Sequence, residues 1–374
     1  MPFSPPHLDD DEIAEVVDSL KSGWITTGPK CKAFEEAFAQ RVASPAALAV
    51  NSCTAALHTA LAVAGVGPGD EVITTSLTFC STVGVIEHVG ATPVLVDVES
   101  DTLNLDPARV AEAVTDRTKV ILPVHYAGHP CDMDALESLA SQHGLTLVED
   151  AAHALPARYK DRWIGQTDHP VCFSFYATKN LTTAEGGMLT ASQEFVDNAR
   201  VASLHGMSRD AWKRYDKGGS WYYEVVMPGF KYNLPDVLAA MGLAQLRKLD
   251  RMQARRRAAW DAYNEAFKDL PVQLPTERDD VQSALHLYPL QVLPEAPVSR
   301  NDFIEMMKER NIGTSVHFIP IHFHPYYREK YGWDEGMFPV AERAFEQVVS
   351  LPMHGGLTEE DVAEVIAAVR ECLA

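Results

Sequence analysis

The residue with the clearest chemical potential is Lys179, in the stretch CFSFYATKNLTTAEGGMLT (172–190), with Glu185 just beyond it. Aromatic and β-branched neighbours imply burial, and a buried lysine either snorkels or has a lowered pKa. With a lowered pKa it is a nucleophile that condenses with an aldehyde. A second candidate precedes it in TLVEDAAHA (146–154), where a β-rich run ends in Glu149 and Asp150. Carboxylates at the C-terminal end of a parallel strand sit where α/β proteins bind ligands. A buried ionised carboxylate needs a partner, and one such partner is the protonated ring nitrogen of a pyridine. The aldehyde cofactor that answers both residues is pyridoxal 5′-phosphate (PLP).

Two further stretches belong with these. In VNSCTAALHTAL (50–61) a β-like run enters a helix at Cys53 and Thr54, whose free N–H groups and hydroxyl suit a phosphate; Ser174, shortly before Lys179, adds another hydroxyl. In TSLTFCST (75–82) Phe79 follows a strand and is placed to lie over a heteroaromatic ring. Each also has a plainer reading when taken singly. Lys179 reads as a surface charge, Asp150 and Ser52–Thr54 as helix caps, and Phe79 as a core residue.

The elements that must position these residues are α/β in pattern. EVITT (71–75), TPVLVDV (92–98), KVILPVH (119–125) and LTLVEDAAH (145–153) are Val/Ile-rich runs separated by helical stretches, which predicts buried parallel strands with helical crossovers. GVGPGDEV (65–72) leaves a helix and enters a strand, the reverse of a dinucleotide fingerprint, so a Rossmann site is not indicated. A long helix is expected after PGFKYNLPD (228–236). Beyond it come a strand HLYPLQVL (286–293), a helix RNDFIEMMKERN (300–311), a strand TSVHF (314–318) and a final helix TEEDVAEVIAAVREC (358–372). The fold class expected is α/β, a three-layer, mostly parallel sheet domain over residues 1–250, with a smaller α+β domain over 251–374. The polar, aromatic stretch 205–229 reads as a long loop, equally a surface excursion or a cover at a dimer interface or substrate.

Composition closes off other classes. The net charge of −20 disfavours nucleic-acid binding, and no run approaches the length of a membrane span. The opening residues have neither the basic nor the apolar region of a signal peptide, so the expected location is the cytoplasm. The six cysteines form no C-x-x-C pair and are expected to be buried free thiols. His317, His322 and His324 in HFIPIHFH lack a suitably spaced acid, so no metal is expected.

The motifs together resemble the DegT/DnrJ/EryC1/StrS sugar aminotransferases of aspartate aminotransferase fold type I. The resemblance rests on SGWITTGPK (22–30), VNSCTAALHTAL, GDEVITTSLTF (69–79), GATPVLVDV (90–98), VEDAAHA (148–154), FSFYATKNLTTAEGGM (173–188) and PGFKYNLPD, and it runs from Ser22 to Pro352. The wording is nearest to the UDP-4-amino-4-deoxy-L-arabinose aminotransferase branch. The resemblance implies that Lys179 carries PLP as an imine, Asp150 pairs with the pyridine nitrogen, His153 approaches the phenolic oxygen and Phe79 stacks on the ring. It implies that Cys53, Thr54 and Ser174 hold the phosphate, joined by Asn233 from the other subunit of a homodimer, and that Thr26 and His317 lie near the sugar. Cys53 departs from the Gly or Ala often found there. The activity implied is transfer of an amino group from L-glutamate, leaving 2-oxoglutarate, to a keto group, at C4, of a nucleotide-linked deoxysugar by a ping-pong route. The alternatives are an aminotransferase for a ring ketone without a nucleotide (an inosose or aminoglycoside precursor), a sugar dehydratase on the same scaffold, which carries histidine at the lysine position, and a non-catalytic regulatory protein.

Overall fold

The computed structural model describes residues 1–208 and 222–374. Its β-rich runs join into one sheet. Strands β1 (Ala46–Val50), β2 (Glu71–Thr75), β3 (Thr92–Val96), β4 (Thr118–Ile121), β5 (Thr146–Leu147) and β6 (Glu149–Asp150) form most of it. The strand expected over 145–153 is thus two short segments, interrupted at Val148. The ladder is nevertheless continuous, because the Val148 and Asp150 amides donate to the Ile121 and Pro123 carbonyls at 3.1 and 2.8 Å. A hairpin of β7 (Arg158–Tyr159) and β8 (Arg162–Trp163) intervenes before β9 (Val171–Ser174) and β10 (Gly187–Ala191) complete the sheet. The order is β3-β2-β4-β5/β6-β9-β10-β1, parallel except for β10.

Period-two burial explains why both faces are covered. Ala47, Ala49, Ile73, Leu147 and Phe173 point into one core with Phe34 and Phe38 of α2 (Pro29–Arg41), reached after α1 (Asp10–Ser22). Leu48, Val50, Val72, Val148 and Cys172 point into the other, with Leu57 and Leu61 of α3 (Cys53–Val63) and Val85 and Ile86 of α4 (Cys80–His88). Helices α5 (Pro107–Ala113) and α6 (Met133–His143) follow on the crossovers; α7 (Gln193–Ser203) follows β10 and buries Val196 and Ala199 in the second core. A sheet apolar on both sides requires this three-layer arrangement.

Helix α8 (Asp236–Phe267) then runs about 48 Å at 1.5 Å per residue. Its first half buries Ala239 and Leu249 against the sheet layers; its second half buries Trp260, Tyr263 and Phe267 in a separate core. That core is closed by an antiparallel sheet, β11 (Val272–Gln273), β13 (Tyr288–Val292) and β14 (Val348–Leu351), and by α9 (Arg300–Glu309) and α12 (Glu359–Leu373). β12 (Val281–Gln282) pairs back onto β7, and α10 (Pro325–Tyr331) and α11 (Pro339–Gln347) lie between α9 and β14 in the chain. Position 250/251 falls inside α8, which therefore carries the chain between the two cores without a linker.

Two expectations need correction. TSVHF forms no strand: Ser315 makes a single bridge to Ser350, while the His317 carbonyl and imidazole are taken by the Tyr126 hydroxyl at 2.5 Å and the Ser350 hydroxyl at 2.8 Å. Cys80 is exposed, because it opens α4 beside the solvent-facing Phe79; the other five cysteines are buried, and all six are free thiols. Of the stretch 205–229, residues 209–221 lie outside the described residues, while Met207 and Val225 bridge its two flanks.

Candidate active site

Asp150 ends β6 at the centre of the sheet, on the face of α3 and α4. It is buried and takes bonds from neutral donors, the Thr82 hydroxyl at 2.8 Å and the Ala152 amide at 3.1 Å, with the Cys53 thiol 3.9 Å away. Burial pushes its carboxyl above the usual range, and these bonds oppose that shift. An acid so placed is a receptor for a cation.

Lys179 hangs in the loop between β9 and β10. The loop is closed by Phe175 and Gly186, N–H to carbonyl at 2.9 Å, and the Lys179 amide is held by the Tyr176 carbonyl at 2.9 Å. Burial lowers the ammonium from 10.5 to about 8, against the opposing field of Asp150. At neutral pH a useful fraction of such an amine is unprotonated and nucleophilic. Three imidazoles surround it. His286 Nε2 lies 3.5 Å from Lys179 Nζ; the His153 ring centre is 4.4 Å from that of His286 and 6.5 Å from that of His317. Burial first, and then the lysine's charge, lowers the pKa of all three, His317 to about 4, so they are neutral bases at pH 7. Among the described residues nothing bonds His153 Nδ1, which is buried.

Phe79 is 57% exposed at the start of α4, so the core reading of it fails; its ring centre lies 6.0 Å from that of Phe318, which in turn stacks on His153. The helix start at Cys53 and Thr54 is capped by Ser52, whose hydroxyl accepts from the Ala55 amide at 3.0 Å. Gly187 on β10 packs so closely on it that an added Cβ would lie 2.5 Å from the Ser52 carbonyl carbon and 2.7 Å from the Cys53 nitrogen. Gly187 is also the register partner of Ser174. Cys53, Thr54 and Ser174 are thereby gathered at one end of the sheet, next to the lysine loop.

Thr26 and Asn233 lie elsewhere. Both line an open cavity of about 1000 Å³ shared with Trp24, Arg200 and Lys231, whose lining includes none of Lys179, Asp150, His153 or Phe79. Asn233 donates to the Thr27 hydroxyl at 2.7 Å, and its backbone bridges Val50 at the end of β1. The carboxylate of Asp236 fixes this region by accepting from the amides of Gly28, Lys30 and Cys31 at 2.7, 3.0 and 2.9 Å, capping α2 from a distant part of the chain. His322 Nε2 meets the Glu342 carboxylate at 3.0 Å.

Sequence reasoning missed Thr82, Asn180, His286 and Phe318. Thr82 was within reach, since it lies one helical turn after Phe79 and so on the same side of α4. His286 is 107 residues from the lysine it meets, with no local signal.

The sequence profile of the DegT/DnrJ/EryC1/StrS aminotransferase family matches residues 6–370. The chain belongs to this family. The spore coat polysaccharide biosynthesis protein SpsC of Bacillus subtilis is 51% identical over 99% of this chain and 96% of its own length. Among solved structures, Spr1654 of Streptococcus pneumoniae, named as a sugar aminotransferase, superposes in its pyridoxamine-phosphate form with a TM-score of 0.94 at 36% identity, covering 100% of this chain and 98% of that one. Its PLP form gives 0.92 at 35% identity over the whole of both chains. DesV of S. venezuelae, solved with a ketimine intermediate, gives 0.89 at 35% identity over 99% and 98%. The resemblance read from the motifs and the type I fold are thus borne out, and the protein is a PLP-dependent aminotransferase. The residues present fit that cofactor: among the described residues, a partly buried lysine amine, an acid bonded only by neutral donors, an imidazole nitrogen without a hydrogen-bond partner and an exposed aromatic ring share one end of the sheet.

Proposed function

We propose that this enzyme moves the amino group of L-glutamate to the C4 keto group of a nucleotide-linked deoxysugar in two half-reactions. The observation that carries the reading is the placement, at one end of the sheet, of Lys179 beside His286 in the β9–β10 loop and of buried Asp150, held by the Thr82 hydroxyl and the Ala152 amide, at the end of β6. PLP, when bound, supplies the electron sink for a carbanion. The chain's own residues do the rest. Lys179 tethers the cofactor and, once released, moves a proton to and from the donor's α-carbon. Asp150 keeps the ring nitrogen protonated; His153 approaches the phenolic oxygen, Phe79 covers the ring, and Cys53, Thr54 and Ser174 bind the phosphate. His317, neutral and beside His153, stands where the sugar enters.

The same proposal gives Thr26 and Asn233 to the neighbouring active site of a homodimer. Supporting this, their cavity is bordered by exposed Trp24 and Ile25 and follows on from Ile13, Val17 and Leu20, an exposed apolar stripe along α1 at helical spacing. A sugar substrate is supported by the polysaccharide pathway named for SpsC and by the name of Spr1654. The C4 position and the nucleotide rest on the motif wording. No described helix is long and apolar enough to cross a membrane, and a cytoplasmic site of action belongs to the same proposal. The test is a panel of keto-sugar nucleotides and free ring ketones, scored by 2-oxoglutarate release from glutamate. Turnover of a 4-keto sugar nucleotide is expected; turnover of free ring ketones alone would move the enzyme to the non-nucleotide class.

A further inference from the structure

The residue after the lysine, Asn180, is tied to the histidine that meets the lysine. Asn180 Nδ2 donates to the Ala284 carbonyl at 2.7 Å, and a carbonyl only accepts, so the amide has one orientation and its Oδ1 faces His286. Oδ1 also only accepts, so the ring proton sits on His286 Nδ1, 3.0 Å away. His286 Nε2 then presents a lone pair to Lys179 Nζ. The backbone around the ring is pinned as well. The Ala284 carbonyl takes a second bond from Gln253 at 3.0 Å, the His286 amide donates to the Ala127 carbonyl at 3.0 Å, and buried Arg256 donates to the His286 carbonyl at 3.3 Å.

The tautomer matters because a neutral amine has two hydrogens and one lone pair. With its lone pair on Nε2, His286 accepts an N–H of the lysine, and the amine's own electrons point away from the imidazole. In the other tautomer Nε2–H would donate to the amine and occupy the electron pair needed for attack and for proton abstraction. We propose that Asn180 and His286 are positioning residues which fix the imidazole as an acceptor and so aim the reactive lone pair of Lys179 into the site. This rests on Lys179 being the cofactor tether and base, and it assigns work to two residues outside the roles proposed above.

The variants His286→Ala, Asn180→Ala, Asn180→Asp, the double variant His286→Ala with Asn180→Ala, and Lys179→Ala separate the possibilities. Two quantities are read: the rate at which cofactor-free protein develops the visible absorption band on adding PLP, and kcat and KM for L-glutamate in the holoenzyme. His286→Ala and Asn180→Ala are each expected to slow band formation and kcat about tenfold or more, with KM changed less than about threefold. The double variant is expected to be no slower than the slower single one, because both act through one contact. Asn180→Asp keeps an acceptor on Nδ1 but loses the bond to the Ala284 carbonyl, and its charge favours the doubly protonated ring. Both rates are therefore expected to lie near those of Asn180→Ala at low pH and to recover towards wild type as pH rises and Nε2 loses its proton. Band formation and kcat within about twofold of wild type in both alanine variants, multiplicative losses in the double variant, or an Asn180→Asp no faster than Asn180→Ala at any pH would each overturn the proposal. If His286→Ala does not fold, the two Asn180 variants, which keep the imidazole, decide. Retention of band and turnover by Lys179→Ala would instead sink the reading of the lysine on which the proposal depends.

Discussion

Glu149 and Asp150 are consecutive acids on one strand, pointing to opposite faces of the sheet, and they have opposite fates. On its face Glu149 takes bonds from His125 Nε2 at 2.7 Å and His169 Nε2 at 2.5 Å. His125 is oriented for this by the Cys131 amide, which donates to its Nδ1 at 3.1 Å. Burial alone would raise the Glu149 pKa, but the two imidazoles hold it at about 2. Among the described residues Asp150 has only neutral donors, a hydroxyl, an amide and a distant thiol, and burial wins. Similar burial with unequal partners separates a carboxylate whose charge is answered within the fold from one that, under the proposed function, answers a ligand.

That contrast can be broken in order of expected effect. Lys179→Ala removes the amine that faces the functional acid; turnover should fall by about 10³ or more and the visible band should vanish, and spectra with steady-state rates check it. Asp150→Asn preserves shape but loses charge, so kcat should drop on the order of 10²–10³ while the melting temperature of the cofactor-free protein does not fall. Glu149→Gln should show the reverse pattern, losing about 3–5 kcal/mol in denaturant unfolding because two imidazoles lose their anion, with kcat per folded molecule far less affected. If Glu149→Gln were the more damaging to chemistry, the division between the faces would fail.

The pH dependence follows the same division. The folded-state pKa of Glu149 lies below its ordinary 4.5, so its contribution to stability is complete above that value and is lost as pH falls towards about 2. His169 works oppositely: its pKa is raised by Glu149 although burial opposes this, so its share is present at low pH and fades as pH rises through the raised value. Thermal melts across pH should therefore show an acid-side slope that Glu149→Gln flattens. The smallest effect is expected at Cys53, whose thiol bonds the Cys172 carbonyl at 3.4 Å; Cys53→Ala should change kcat by less than about threefold in the same steady-state assay.

What the sequence made legible was the part of the site that local pattern creates. Asp150, Cys53, Thr54, Ser174 and Phe79 each stand at a strand end or helix start, positions that hydrophobic period and cap chemistry mark, and Lys179 stands out as a lysine in an apolar, hydroxyl-bearing stretch just after a strand. The fold class was legible for the same reason. The reversed direction of β10 was not, since a strand buried on both faces looks alike in either sense. Nor was the second face of β6: Glu149 looked like a twin of Asp150 until His125 and His169 arrived from separate loops. Asn180 and His286 were hidden because their meeting depends on how the chain after α8 folds back on the sheet. TSVHF had the composition of a strand, but side chains claimed the groups a ladder needs.

The reversed β10 also has a mechanical consequence. Ser174 and Gly187 pair in register, so the loop bearing Lys179 leaves one strand and returns immediately in its neighbour, and both strands are hydrogen-bonded onward to β6 and β1. A pull on the lysine along the strands is carried in shear by several ladders at once. His286 and His317, in contrast, hang from connections between the two cores, held by isolated backbone and side-chain bonds rather than by a ladder. Under tension applied through the chain ends, as on an enzyme immobilised by its termini, the histidines should yield first while the lysine keeps its place.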